Sequence, residues 1–298
     1  MLTTWVEHQF RAMGSPSHLL LGDAPDSLVQ WAVDEIERLE QCWSRFRSDS
    51  ELNVLNDSSG GVAEISPTML DILLRARRLW TSTSGRFDPT VIDALERLGY
   101  DRPFLEVDRQ RPEAAPSTIP VPSFGGVMID PARLRVLLPA GTRLDLGGIG
   151  KGLAADIVTE GLADRGARHV CLALGGDVRV AGDPPVDGWR IPVEDPFTDA
   201  TLFEWPMTSG AIVTSTTRFR RWERGGRQLH HIIDPATGQS ASGGLTAVIT
   251  AGTEAWWAEG IAKAALIAGP TEGADLIRRH ALQGWLAYDD GRIEKVTA

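Results

Sequence analysis

The chain has 298 residues, 42% hydrophobic and 23% charged, which is enough to bury a large core, and it carries a formal net charge of -10. That balance excludes an extended nucleic-acid or anionic-membrane surface, which needs clustered Lys and Arg to neutralise phosphates; the basic cluster at 218–224 is local. The two cysteines, Cys42 and Cys171, form neither a disulfide framework nor a metal-ligand spacing.

In chain order, residues 5–10 and 18–21 alternate as two strands around Met13-Gly14-Ser15. The first ten residues show no basic segment leading into an apolar one, and no stretch nears the roughly 18 apolar residues of a membrane span, so a cytoplasmic protein is expected. Leu28, Trp31, Ile36, Leu39, Trp43 and Phe46 recur at helical spacing after Pro25 and Asp26, predicting a long amphipathic helix. Gly60-Gly61 marks a turn, and Ser66-Pro67 opens a second helix running to Gly85, a capping hydroxyl followed by proline at the first helical position. Phe87-Asp88-Pro89-Thr90 follows, where the aspartate is either a cap or part of a ligand site. Residues 100–124 carry five prolines and little periodicity, predicting a surface excursion that is either a substrate-side loop or an insertion.

From Gly126 the pattern turns to strands at 127–129 and 134–138, with a turn at 130–132 between them. The stretch Asp145-Leu146-Gly147-Gly148-Ile149-Gly150-Lys151-Gly152 then opens a run with helical spacing, 153–165. Glycines let backbone approach a ligand, the first N–H groups of a helix lack intrahelical partners, and the helix dipole favours negative charge there, so the loop suits a phosphate. It matches neither a Walker A loop nor the Rossmann glycine pattern. A strand at 169–174 ends in Gly175-Gly176-Asp177, and short strands follow at 189–193, 202–205 and 211–214. A further strand enters His230-His231, a turn spans 234–244, and a strand at 245–251 leads to a helix at 253–268 that Thr253 is placed to cap. Pro270 starts another helix, ending near Leu282, and 285–296 reads as a closing hairpin. Strands and helices mix without regular βαβ alternation, which predicts an α+β chain. Most of the ten tryptophans read as core or rim packing, with room for a few to line a ring-shaped ligand.

Six of these turns, Met13-Gly14-Ser15, Phe87-Asp88-Pro89-Thr90, the loop at 145–152, Gly175-Gly176-Asp177, Val213-Thr214-Ser215 and the segment 230–238, stand in an order that resembles the ApbE-type FAD:protein FMN transferases. The resemblance covers about residues 8 to 270. It implies a single ApbE-like, T-fold-related α+β domain over 1–298, of mixed sheets with packed helices, interrupted by the proline-rich excursion near 101–125. Many relatives are exported lipoproteins with a cysteine just after a signal segment, a pattern absent here.

The activity implied is transfer of FMN from FAD to a Ser or Thr hydroxyl of an acceptor protein, with AMP leaving. Lys151 and the loop amides would hold the diphosphate, His231 would be the general base, and Asp234 would either orient that imidazole or cap its turn. The resemblance places FAD against Met13, Gly14, Ser15, Asp88, Gly147, Gly148, Lys151, Asp156, Gly175, Gly176, Asp177, Thr214, Ser215, His231 and Ile233. In the family an Ala-Asp-x-x-Ala-Thr helix binds Mg2+ together with a carbonyl of the glycine loop. The corresponding positions here are Gly150, Glu259 and Lys263, in Ala258-Glu259-Gly260-Ile261-Ala262-Lys263. Glutamate keeps a hard oxygen, but an ammonium has no lone pair to give, which puts Mg2+ in question. Either Glu259 and Lys263 form a helix-surface ion pair worth only about 0.2–0.5 kcal/mol, or the Lys263 ammonium sits where the metal or its threonine ligand would. An FAD-binding protein without transferase activity, and an FAD pyrophosphatase giving FMN and AMP, remain as alternatives.

Overall fold

The alternating segments close into one eight-stranded, wholly antiparallel sheet in the computed structural model, which describes residues 3–198 and 200–297. From edge to edge its strands are Trp5–Ala12, Ser15–Gly22, His169–Leu174, Asp177–Gly182, Gly210–Thr216, Leu245–Gly252, Gln283–Tyr288 and Ile293–Val296. The strand Asp177–Gly182 was not anticipated; its sequence reads as the tail of a glycine turn, yet it pairs from Leu174↔Asp177 outward as the second arm of a hairpin.

Among the described residues seven α-helices accompany the sheet: α1 Ser27–Trp43, α2 Glu51–Asp57, α3 Pro67–Ser82, α4 Ile92–Leu98, α5 Gly150–Asp164, α6 Ala255–Ala268 and α7 Pro270–Arg279. Helix α5 packs on His169–Leu174 and Asp177–Gly182, and α6 on Gly210–Thr216 and Leu245–Gly252, with α1 and α3 laid over them. Here lies the main core, which includes Leu19, Ile36, Leu79, Leu153, Val213, Val248, Ile261 and Leu286. The other sheet face buries Val180, Ile212, Ile249 and Trp285 beneath the hairpin Trp189–Glu194 and Thr201–Met207. None of the described helices is long and apolar enough to cross a membrane.

Ser66 caps α3 as its sequence predicts, its Oγ accepting from the Met69 amide at 3.1 Å with Pro67 at the first helical position. Thr253 does not cap α6. The Ala255 and Trp256 amides donate instead to Asp156, each at 2.9 Å, from the middle of α5. The excursion at 101–125 is less peripheral than its composition predicts: Val107 and Ile119 are buried in a small core with Leu98, Tyr100, Trp222 and Leu229. Its short strand Gln110–Arg111 pairs in parallel with Arg221–Arg224, which in turn pairs with Arg227–His230.

Candidate active site

A cleft of about 460 Å3 opens where the start of α5, the excursion and the segment after His230 meet. It gathers much of what the sequence nominated: Met13, Gly14, Asp88, Gly147, Gly148, Gly150, Lys151, His231, Ile233 and Lys263 all line it. Phe46, Phe87, Tyr100, Phe104 and Leu105 give it an apolar wall. Among the tryptophans only Trp43 belongs to the lining, so the others pack as expected. Seven cationic side chains (Arg11, Arg45, Arg47, Arg86, Lys151, Arg220 and Lys263) line it against three carboxylates, Glu40, Asp88 and Asp145. Glu37, Glu272, Asp177 and Glu259 pair with four of these cations from behind the lining, so the surface that the cleft presents is richer in cations than in carboxylates, which suits an anion.

Lys151, in the first turn of α5, donates to Asp177 at 2.8 Å and to Glu259 at 3.3 Å. Burial alone would lower its pKa, but those two carboxylates outweigh burial and hold it above the usual lysine value. Glu259, in α6, accepts from the Gly152 amide at 2.9 Å and lies 3.5 Å from the Lys263 ammonium. Burial opposes its charge, yet Lys151 and Lys263 keep its pKa below the ordinary glutamate value. Asp177 is pushed up by burial, an effect that Lys151 partly offsets, and it also accepts from the Thr214 amide at 3.2 Å. Lys263 donates to the Gly148 carbonyl at 3.1 Å, and burial lowers its pKa. The helix-surface ion pair is therefore the wrong account of Glu259 and Lys263. Both side chains are largely buried, Glu259 to 3% exposure, and both join a four-charge cluster under the cleft floor.

The loop amides are mostly committed inside the protein. Gly147 N–H donates to Asp145 at 2.6 Å, those of Ile149 and Gly150 to the Leu146 carbonyl, and that of Gly152 to Glu259. Anion binding at this helix start thus rests more on the Lys151 side chain than on the free amides that the glycines suggest. Gly152 has a packing reason instead, because a Cβ there would stand 2.7 Å from the Ala255 and Trp256 backbone where α5 meets α6.

Several nominated residues stand behind the lining rather than in it. Ser15 packs on Gly175, accepts from Arg220 at 3.2 Å and so backs that guanidinium, and Gly175 in turn lies against the Lys151 stem. Gly176, at φ +94, turns the hairpin that delivers Asp177, while Thr214 and Ser215 continue the adjoining strand. Asp156 is a correction: besides holding the start of α6, it takes the Arg179 guanidinium at 2.7 Å and does not reach the cleft. Asp88 acts as the cap of the short helix Pro89–Val91, accepting from Thr90, from Trp80 Nε1 at 3.0 Å and from the Phe124 amide at 3.1 Å. Gly150 is not the carbonyl that meets Lys263; Gly148 is.

The two adjacent histidines divide. His230 is held by the Ala241 carbonyl at Nε2, 2.9 Å, and accepts from the Ile232 amide at Nδ1; burial pushes its pKa down to about 4. His231 lines the cleft, its Nδ1 is buried with no hydrogen-bond partner among the described residues, and burial followed by the Arg220 and Lys263 charges holds it well below 6.5. Asp234 does not orient it. Its Oδ1 caps the following turn through the Ala236 amide at 2.9 Å.

Two cleft residues escaped the sequence reading. Arg45 is buried between Phe46 and Tyr100, its guanidinium carbon 4.1 and 4.6 Å from the ring centroids, and pairs with Asp145 at 3.0 Å, so it braces the glycine loop. Arg220 has φ +51, a left-handed conformation uncommon for a bulky residue. A lone arginine in a basic run carries no sequence signal of either role.

A divalent metal does not fit the residues at the family's metal position. Lys263 has no lone pair there, and the Glu259 oxygens are engaged by Lys151, Lys263 and the Gly152 amide.

A profile of the ApbE family matches residues 7–286. The chain is 30% identical over 249 residues to an FAD:protein FMN transferase of Rhodobacter capsulatus, covering 82% of this chain but 47% of that one, so it spans about half of that relative's length. It is 28% identical over 295 residues to one of Treponema pallidum (strain Nichols), covering 90% and 80%. Among solved structures, the ApbE protein of Thermotoga maritima superposes with a TM-score of 0.87 at 24% identity, covering 98% of this chain and 97% of that one. The apo flavinyl transferase ApbE of Pseudomonas stutzeri superposes with a TM-score of 0.84 at 23% identity, covering 99% and 95%. The solved structures share the α+β fold, and with the profile spanning nearly the whole chain and the cleft built from its motifs, this protein belongs to the ApbE family.

Proposed function

We propose that the protein is an FAD:protein FMN transferase, moving FMN from FAD to a Ser or Thr hydroxyl of an acceptor protein with release of AMP. The observation that carries this reading is the meeting, in one cleft lined by cations and an apolar wall, of the Lys151 ammonium and His231, whose Nδ1 has no hydrogen-bond partner among the described residues. The hydroxyl oxygen attacks the phosphorus on the riboflavin side of the diphosphate. A new P–O bond forms as the bond to the bridging oxygen breaks, AMP leaves with that oxygen, and the hydroxyl proton passes to His231. Burial, with the Arg220 and Lys263 charges adding to it, keeps the imidazole neutral and so able to accept a proton, and a diphosphate bound beside it would offset those two charges. Lys151, Arg220 and Lys263 are positioned to counter charge on the transferring phosphoryl group. The ring wall of Phe46, Phe87, Tyr100 and Phe104 offers an apolar face to the isoalloxazine or adenine.

The test is incubation with FAD and an acceptor peptide bearing a single hydroxyl residue, read by mass spectrometry and nucleotide chromatography. Peptide carrying FMN together with free AMP is the expected result. FMN and AMP produced without acceptor would make the protein a pyrophosphatase, and bound but uncleaved FAD would make it a binding protein.

A further inference from the structure

We propose that Lys263 is a resident cation: its ammonium occupies the place at the glycine loop where a divalent ion would have to sit, so that FAD is held and cleaved without one. This rests on the transferase reading above and specifies how its site is charged.

The geometry supplies three supports. First, Nζ of Lys263 donates to the Gly148 carbonyl at 3.1 Å and approaches Glu259 Oε1 at 3.5 Å, the oxygen atoms that a hard cation would need. Second, the carboxylate is already engaged by other donors. Glu259 Oε1 also takes Lys151 at 3.3 Å, and its Oε2 takes the Gly152 amide at 2.9 Å. Third, the loop is closed on the side chain, since a Cβ on Gly148 would stand 3.3 Å from Nζ and 3.5 Å from Cδ of Lys263. A second cation entering there would face an ammonium at contact distance. No cluster of three or more His, Cys, Asp and Glu side chains among the described residues offers a different metal position.

An ammonium has three N–H groups. Two are accounted for by Gly148 and Glu259 among the described residues, and the side chain lines the cleft, which leaves the third for a phosphate oxygen. Glu259 lies between Lys151 and Lys263, so a single buried carboxylate holds two ammoniums at the cleft floor. Before substrate binds, Lys151 and Lys263 balance Asp177 and Glu259, and the diphosphate then meets a floor that has already been desolvated and fixed.

The protein, stripped with a chelator, is titrated with FAD by flavin fluorescence in chelator and in excess Mg2+, and Mg2+ is titrated calorimetrically into the protein–FAD complex. FAD affinity within about twofold in the two conditions, and no saturable Mg2+ heat, are expected. An affinity about tenfold or more weaker in chelator, or one Mg2+ bound per protein, overturns the inference while leaving the transferase reading intact. Failure to bind FAD under either condition removes the transferase reading and this inference together. Glu259→Asp combined with Lys263→Thr exchanges the ammonium for a hydroxyl oxygen and should create a saturable Mg2+ site. If that double variant is folded, as judged by circular dichroism, and binds no more Mg2+ than the parent, Lys263 is not what keeps the metal out.

Discussion

His230 and His231 are the same residue type at adjacent positions, and only their surroundings separate them. His231→Ala removes a base with no protein hydrogen bond at Nδ1, so transfer should fall about 10² to 10⁴-fold while FAD affinity stays within a few-fold, measured by AMP release and fluorescence titration. His230 is structural, and its effect is on stability. Its folded pKa of about 4 lies below the usual 6.5, so the unfolded chain binds the extra proton between those values. The contribution of neutral His230 is therefore full above pH 6.5 and is lost as pH falls toward 4. Urea midpoints across that range should decline for the parent and decline less steeply for His230→Gln, in which His231 still titrates in the same direction; equal slopes would sink the assignment. Arg220 belongs to the same scale. Its left-handed backbone is a local cost, and the side chain it delivers lies at Ser15 on the cleft wall. Arg220→Ala should weaken FAD about tenfold and leave riboflavin, which has no phosphate, nearly unchanged, as flavin fluorescence would report.

At the scale of elements, the site depends on how α5 and α6 meet. Asp156 links the two helices, receiving two amides of the α6 start and the buried Arg179 guanidinium. Asp156→Ala leaves a buried cation and two helix N–H groups without their acceptor, and should lower the unfolding free energy by about 3–5 kcal/mol, measured by urea denaturation. Because Asp156 does not line the cleft, Asp156→Asn, which keeps an acceptor oxygen, should retain FAD affinity in the folded fraction. A loss of FAD binding without loss of stability would return the residue to the nucleotide site. The same junction explains Gly152, where the α6 backbone leaves no space for a methyl group.

For the molecule as a whole, the net charge contrasts with the cation-rich lining of the cleft. The chain carries -10, yet the cleft lining presents seven cations and three carboxylates, so an anion bound there would be held by contacts that salt screens. FAD should bind more tightly than FMN, because a diphosphate meets more of the Lys151, Arg220 and Lys263 charges. Its affinity should fall about tenfold between low ionic strength and 0.5 M salt, whereas that of riboflavin should not. Titrations of the three flavins at two salt concentrations decide this, and a salt response equal for all three would place the diphosphate elsewhere.

Much of this was legible in the amino-acid order, because local chemistry carries it. Ser66-Pro67 capped a helix as written, the alternating runs became strands, and the glycine loop, Lys151 and His231 arrived together at one cleft. Other assignments needed partners distant in the chain. Asp156 caps a helix that begins 99 residues later, and Glu259 and Lys263 look like an exposed i, i+4 pair until the loop at Gly148 closes over them. Which of two neighbouring histidines keeps a free nitrogen is decided by the Ala241 carbonyl, eleven residues beyond His230. Periodicity and capping act within a few residues and are therefore written in sequence, whereas burial, charge compensation and proton affinity depend on what the fold brings alongside, and only the tertiary structure decided those.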